Sequence, residues 1–223
     1  MFFPIGDDQI KGGAYPFFSY AFIIINVGVF LYQLSLDQEG LLMFLDRYST
    51  IPAYIQEGHH WGTLISSMFL HGGWMHLIGN MLFLWVFADN IEATIGNLPF
   101  LIFYLLGGII AGLAHVYFNL GSEIPSLGAS GAISAVLGAY LIMFPTSRVK
   151  VFIFLFIILR RITMSALAFL GIWIVIQVFS TLQSLGMPVE GGGTAWFAHL
   201  GGLVFGLFIG LFLRDKARRF TIG

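Results

Sequence analysis

The chain has 223 residues, of which 58% are hydrophobic and only 9% charged. A soluble domain carries about 25% charged residues, so this chain would expose large apolar patches if folded in water, and the bilayer is its expected solvent. The formal net charge of −1 leaves no basic footprint for nucleic acid, and the absence of cysteine excludes disulfides, thiolate catalysis and Cys-based metal sites.

Residues 1–15 place Asp7, Asp8 and Lys11 ahead of any long apolar run. That is neither the layout of a secretory signal peptide nor an Arg-rich presequence. A spanning helix needs about 20 mostly apolar residues, and six segments qualify: roughly 17–36, 73–91, 98–118, 128–145, 163–183 and 195–213. The stretch 37–72 carries Asp37, Glu39, Asp46, Arg47 and Glu57 and reads as a long interfacial first loop, with Tyr48, Tyr54 and Trp61 as aromatic anchors. Val151 to Leu159 is too short to span and sits between Arg148/Lys150 and Arg160/Arg161, so it reads as interfacial or as an extension of the fifth span. The expectation is an all-α membrane protein, a six-transmembrane-helix bundle forming a single domain over residues 1–223.

Six spans put both termini on one side. Nine of the ten Lys and Arg residues then fall there, with Arg47 alone opposite, which makes that side cytoplasmic. Short tails and the missing presequence point to a bacterial inner membrane.

Polar groups in hydrocarbon are costly and normally face a bundle interior or a wet cavity. The second span contains His76 and Asn80, one turn apart; the fourth opens with Gly128-Ala129-Ser130-Gly131; the sixth contains Ala198-His199-Leu200-Gly201-Gly202. All three spans run inward from the outer face, so Ser130, His76, His199 and Asn80 lie roughly 3–11 Å below their outer ends. Ser130, Ser134 and Gly138 on the fourth span, and Gly202, Gly206 and Gly210 on the sixth, form small-residue rows that permit close approach if they face each other.

A serine hydroxyl becomes nucleophilic when an adjacent base takes its proton, and His199 is the candidate base for Ser130. The backbone N–H of Ser130, at a helix start, could stabilise an oxyanion together with the Asn80 amide and the His76 ring. No acidic residue lies at the depth of His199, which favours a Ser-His dyad over a triad. His71 is expected to brace the first loop, His115 to hydrogen-bond between helices, and His59/His60 to be a solvated pair. Trp173 and Gln177, one turn apart on the fifth span, are candidates for a gate or for ordinary packing.

The string His71-Gly72-Gly73-Trp74-Met75-His76-Leu77-Ile78-Gly79-Asn80 resembles the second-helix motif of the rhomboid intramembrane serine proteases. Gly128-Ala129-Ser130-Gly131 resembles their nucleophile motif, Ala198-His199-Leu200-Gly201-Gly202 their base motif, and Asn90-Ile91-Glu92 a helix end that carries a structural glutamate. The resemblance implies a six-helix core, serine endopeptidase activity on transmembrane protein substrates in the bilayer, and neither cofactor nor metal. It also implies Ser130 and His199 as the catalytic pair, His76 and Asn80 as oxyanion partners, a partly embedded first loop, and a gate and cap formed by the fifth span and the 184–194 loop. One departure is Gly62 after Trp61, where many relatives have Trp-Arg. The alternatives weighed are a metalloprotease, which lacks His-Glu-x-x-His and a carboxylate near His76 and His199, and a transporter, for which no inverted repeat is visible. A third is a non-proteolytic relative that binds membrane clients, although such relatives typically lose the serine or histidine present here. Oligomeric state is left open by the packing patterns.

Overall fold

The fold is described from a computed structural model over residues 2–155, 158–184 and 195–222. Two short strands, β1 (Phe2–Gly6) and β2 (Ile10–Lys11), precede helix α1 (Phe17–Ser35). The first loop folds into α2 (Gln38–Tyr48), α3 (Pro52–Gln56), α4 (Thr63–Ser66) and a 3₁₀ turn at Ser67–Phe69. Helices α5 (Trp74–Ile95), α6 (Asn97–Phe118) and α7 (Ser130–Met143) follow, then strands β3 (Arg148–Leu155) and β4 (Ile158–Ser165). Helices α8 (Ala166–Ser184) and α9 (Trp196–Ala217) and a last strand, β5 (Thr221–Ile222), complete the chain.

Among the described residues four helices, α1, α6, α8 and α9, are long and apolar enough to cross a membrane. Helix α5 is as long as α6 at 22 residues, but His76, Asn80, Asp89, Asn90 and Glu92 make it more polar. Helix α7 is apolar and has 14 residues, about 21 Å of rise, shorter than the 128–145 span expected. It is the centre of the bundle, with Gly131 through Tyr140 continuously buried. Side chains such as Ile24, Leu31, Val175, Phe179, Val204 and Phe212 project outward and stay exposed, as a lipid-facing surface requires.

The molecule is not all-α. Arg148-Val149-Lys150-Val151 alternates charged with β-branched residues, and that period of two builds a strand, not a helix. β3 pairs antiparallel with β4, and β1 adds on the other side, giving the order β1-β3-β4. The Val151–Leu159 run therefore belongs to a hairpin and does not extend the fifth span, and residues 163–165 are strand residues ahead of α8. Val149 and Val151 are fully buried against the bundle, while Arg148 and Lys150 are exposed. β2 and β5 form a separate two-stranded ribbon.

The same end of the bundle holds a buried polar network. Asp7 accepts hydrogen bonds from Asn90 Nδ2 of α5 at 2.8 Å, from Gln9 Nε2 at 2.7 Å and from the Tyr140 hydroxyl of α7. Asp8 pairs with Arg148 at 3.1 Å. Helix α1 has no cap of its own, with Pro16 at that position. Glu92 of α5, fully buried, supplies one: its carboxyl oxygens accept from Phe18 N at 2.8 Å, and from Ser19 N and Ser19 Oγ at 2.7 Å each. Backbone N–H groups at a helix start need such partners once they leave water.

Helix α7 packs most extensively on α9. Glycine on α9 is what lets them meet. A Cβ added at Gly202 would lie 2.1 Å from the Gly131 carbonyl oxygen, and one at Gly206 1.9 Å from that of Ala135. Gly138 of the row expected on α7 does meet α9, where its added Cβ would stand 2.5 Å from the Leu203 carbonyl oxygen and 3.0 Å from Gly206 C, and the glycines of α9 lie over the positions beside that row. Gly202, Gly206 and Gly210 lie over Gly131, Ala135 and Ala139, and Ser134 turns back to donate to the Ser130 carbonyl at 2.7 Å.

Candidate active site

Ser130 is the first residue of α7, and Ala129 before it provides no side-chain cap. The N-terminal N–H groups of α7 therefore point, with the positive end of the helix dipole, at whatever lies beside Ser130. His199 is in the first turn of α9 and 8% exposed. The α7–α9 approach brings the two together: Ser130 Oγ and His199 Nε2 stand 2.8 Å apart, within hydrogen-bond distance. On its other side the ring's Nδ1 lies 2.7 Å from Gln177 Oε1 of α8. Two indoles flank it, Trp196 edge-on at 5.9 Å and Trp173 tilted at 6.3 Å between centroids.

His76 and Asn80 reach the turn before Ser130. Gly128, at φ +124°, leaves a space where a Cβ would stand 2.7 Å from His76 Nε2 and 3.7 Å from Asn80 Nδ2. His76 Nδ1 accepts from the Gly72 N–H at 3.4 Å, so the neutral ring carries its proton on Nε2, beside Gly128. Asn80 Nδ2 donates one hydrogen to His71 Nε2 at 2.9 Å, and its second has no partner among the described residues. His71 is 1% exposed, and burial, followed by repulsion from His76, lowers its pKa to about 3. It is therefore a neutral acceptor throughout the physiological range.

The four residues expected at one level do converge around Gly128 and Ser130. Sequence reasoning missed three supports. Gln33 of α1 clasps the backbone of His71, donating to its carbonyl and accepting from its N–H at 3.1 Å each. A bridge between Thr50 and Ser126, with Gly128 N donating to Ser67 O at 2.9 Å, docks the first loop on the segment that leads into Ser130. The third is Gln177: it is 6% exposed and its amide meets His199, while Trp173, one turn earlier, is half-buried. Alternating hydrophobicity could not reveal these, because each joins residues far apart in the chain. Among the described residues His115 bonds Asn119, which caps the end of its own helix, and not a neighbouring helix as expected. His59 and His60 are both exposed. The expected cap at 184–194 lies outside the described residues, apart from Ser184 at the end of α8.

Behind the hydroxyl is a cavity of about 30 Å³ lined in part by Thr50, Ser67, Ser126 and Ser130, enough for one water with polar partners. A hydroxyl within hydrogen-bond distance of an imidazole, an imidazole held by a buried amide, and backbone and side-chain donors beside both form an arrangement that can support acyl transfer.

Residues 58–216 match the Rhomboid domain family. The chain is 30% identical over 206 residues to "Rhomboid protein 1, mitochondrial" of Saccharomyces cerevisiae, covering 90% of this chain and 54% of that protein. It is 32% identical over 197 residues to "Rhomboid protease GluP" of Bacillus subtilis, covering 86% of this chain and 34% of the relative. "Presenilin-associated rhomboid-like protein, mitochondrial" of Homo sapiens is 30% identical over 147 residues, 65% of this chain and 36% of that protein. The chain thus spans about half or less of the length of these relatives. It belongs to the rhomboid family and is a multi-pass integral membrane protein.

Proposed function

We propose that the chain is an intramembrane serine endopeptidase that cleaves transmembrane protein substrates near the outer membrane face. The observation that carries this reading is the 2.8 Å contact between Ser130 Oγ and His199 Nε2 at the uncapped start of α7. In this reading α1, α5, α6, α7, α8 and α9 are six spans, with both termini cytoplasmic by the distribution of basic residues. The first loop lies at the outer interface, with Leu42, Met43 and Trp61 exposed towards lipid. The partners are the substrate helix and the bilayer, not nucleic acid.

The chemistry follows from the geometry. A substrate segment unwinds and enters between α5 and α8, which touch through Phe169 against Phe83 and Phe87 away from Ser130; Trp173 stands beside the entry. Ser130 Oγ attacks the scissile carbonyl while His199 Nε2 takes the hydroxyl proton. The oxyanion is met by the Ser130 N–H, the free Asn80 hydrogen and the His76 Nε2–H. His199 then protonates the leaving amine, the C–N bond breaks, and water hydrolyses the acyl-serine with His199 again as base.

The test is covalent labelling of the purified chain by a fluorophosphonate, with cleavage of a transmembrane reporter in proteoliposomes. Label is expected on Ser130. Ser130→Ala should remain folded, take no label and cut nothing. Full cleavage by that variant would refute the reading, and a folded wild-type chain that neither labels nor cuts would favour a client-binding role.

A further inference from the structure

An imidazole acts as a base through one nitrogen only if its proton sits on the other. For His199 to accept from Ser130 at Nε2, the neutral ring must carry hydrogen on Nδ1. A ring protonated on Nε2 would offer hydrogen to the hydroxyl and could not remove its proton. Which nitrogen is protonated is set by the bond the other makes. No carboxylate is among the groups within hydrogen-bonding reach of Nδ1 in the described residues; the contact there is Gln177 Oε1 at 2.7 Å. The titratable groups that act on His199 from neighbouring helices are His76 of α5 and His115 of α6, and neither is an anion.

We infer that Gln177 is a positioning residue of this site: its side-chain carbonyl fixes the proton of His199 on Nδ1 and aims Nε2 at Ser130. The inference rests on the reading of Ser130 and His199 as nucleophile and base. Three features support it. A carbonyl oxygen accepts but cannot donate, so it selects one tautomer. Gln177 is 6% exposed, so little water competes for Nδ1. The backbone is held as well, because Thr181 Oγ1 donates to the Gln177 main-chain carbonyl at 2.8 Å one turn on. The amide thus occupies the place that a carboxylate takes in a catalytic triad, without bringing a charge into the bundle, where a buried anion would be costly. It also turns Gln177 inward to the base, away from the entry that Trp173 borders.

The experiment uses the full chain in detergent micelles with ¹⁵N-labelled histidine, assigning His199 by difference from His199→Asn. Nitrogen shifts should report a neutral His199 ring protonated on Nδ1. Gln177→Met, which keeps volume and removes the acceptor, should mix the tautomers and slow fluorophosphonate labelling of Ser130 by about ten- to a hundredfold, less than the roughly 10⁴ lost where a triad carboxylate is neutralised. Gln177→Glu restores an acceptor, so it should recover labelling at alkaline pH but move the acid-limb midpoint of the pH profile upward, because a carboxylate favours the imidazolium, which cannot take the serine proton. A wild-type ring protonated on Nε2 overturns the inference, as does wild-type labelling by Gln177→Met. Equal loss in Met and Glu variants with the tautomer unchanged marks a packing role and also overturns it. The tautomer of the unmodified chain decides the matter if Gln177→Met fails to fold. Wild-type chain that is folded, shows the Nδ1 tautomer and takes no label would instead sink the protease reading, and the inference with it.

Discussion

Gly202→Ala tests whether helix contact sets the catalytic geometry. Gly202 is three residues after His199 on α9, and its added Cβ would stand 2.1 Å from the Gly131 carbonyl oxygen, one residue after Ser130 on α7. Cβ atoms essentially never come within 3.0 Å of such a neighbour, so the helices must separate by at least about 0.9 Å at this level. The obstacle is backbone on a buried helix and cannot rotate away. Carried to the next turn, the same displacement takes the 2.8 Å Ser130–His199 contact to roughly 3.7 Å, beyond hydrogen-bond range. Overpacking of this kind costs about 1–3 kcal/mol, whereas a displacement of about 1 Å at a reacting pair can cost on the order of 10² in rate. The variant should therefore unfold only moderately earlier than wild type yet label with fluorophosphonate about a hundredfold more slowly. Gly79→Ala on α5, where nothing lies within 4 Å of the added methyl, is the control and should label normally. A Gly202→Ala chain that labels at the wild-type rate would show that α7 and α9 do not fix the distance between hydroxyl and imidazole.

Gly128→Ala combines a left-handed φ of +124° with a Cβ 2.7 Å from His76 Nε2, so reporter cleavage should fall by about 10² or more while membrane insertion persists; cleavage near wild type would remove His76 from the oxyanion site. Glu92→Ala leaves the Phe18 and Ser19 donors without their acceptor and should cost roughly 2–4 kcal/mol, seen as a lower Tm in detergent, with Glu92→Gln milder; an unchanged Tm would show that α1 is capped otherwise. Burial raises the Asp7 pKa from 3.8 to about 7. The folded chain then holds a proton that the unfolded chain has lost, so stability falls as pH rises from about 4 through 7. Tm should be higher at pH 5 than at pH 8 by on the order of 5–10 °C, and Asp7→Asn should flatten that slope; an equal slope in the variant would place its origin elsewhere.

The candidate site was legible because each member is a polar group in an apolar helix, and topology alone brings helices that run the same way to one depth. Ser130, His199, His76 and Asn80 all stand out on those grounds. The supports were not legible. Gln33 and Gln177 are ordinary amides in apolar helices, and their partners lie 38 and 22 residues away. The β1-β3-β4 sheet was missed for two reasons. Its alternation is short, and β1 pairs with a strand nearly 150 residues later, as Phe3 opposite Phe152 illustrates. Helix ends shifted because capping depends on contacts from elsewhere: α5 runs on past 91 to Ile95, carrying the Glu92 that caps α1.

Two helix starts in this molecule receive opposite treatment. At α1 the buried carboxyl of Glu92 accepts from Phe18 and Ser19, so those donors are spent on folding. At α7 no side chain among the described residues takes that position, and two nearby polar side chains are engaged away from it: Ser134 bonds the Ser130 carbonyl and Asn80 bonds His71. Buried backbone donors without partners are costly, so an uncapped start can persist only where a ligand or water completes it. The stabilising network of Asp7, Asn90, Tyr140 and Glu92 lies at the other end of the bundle. In the proposed protease reading, that division lets one end hold the helices together while the other offers its donors to the negative charge that develops when a serine attacks a carbonyl.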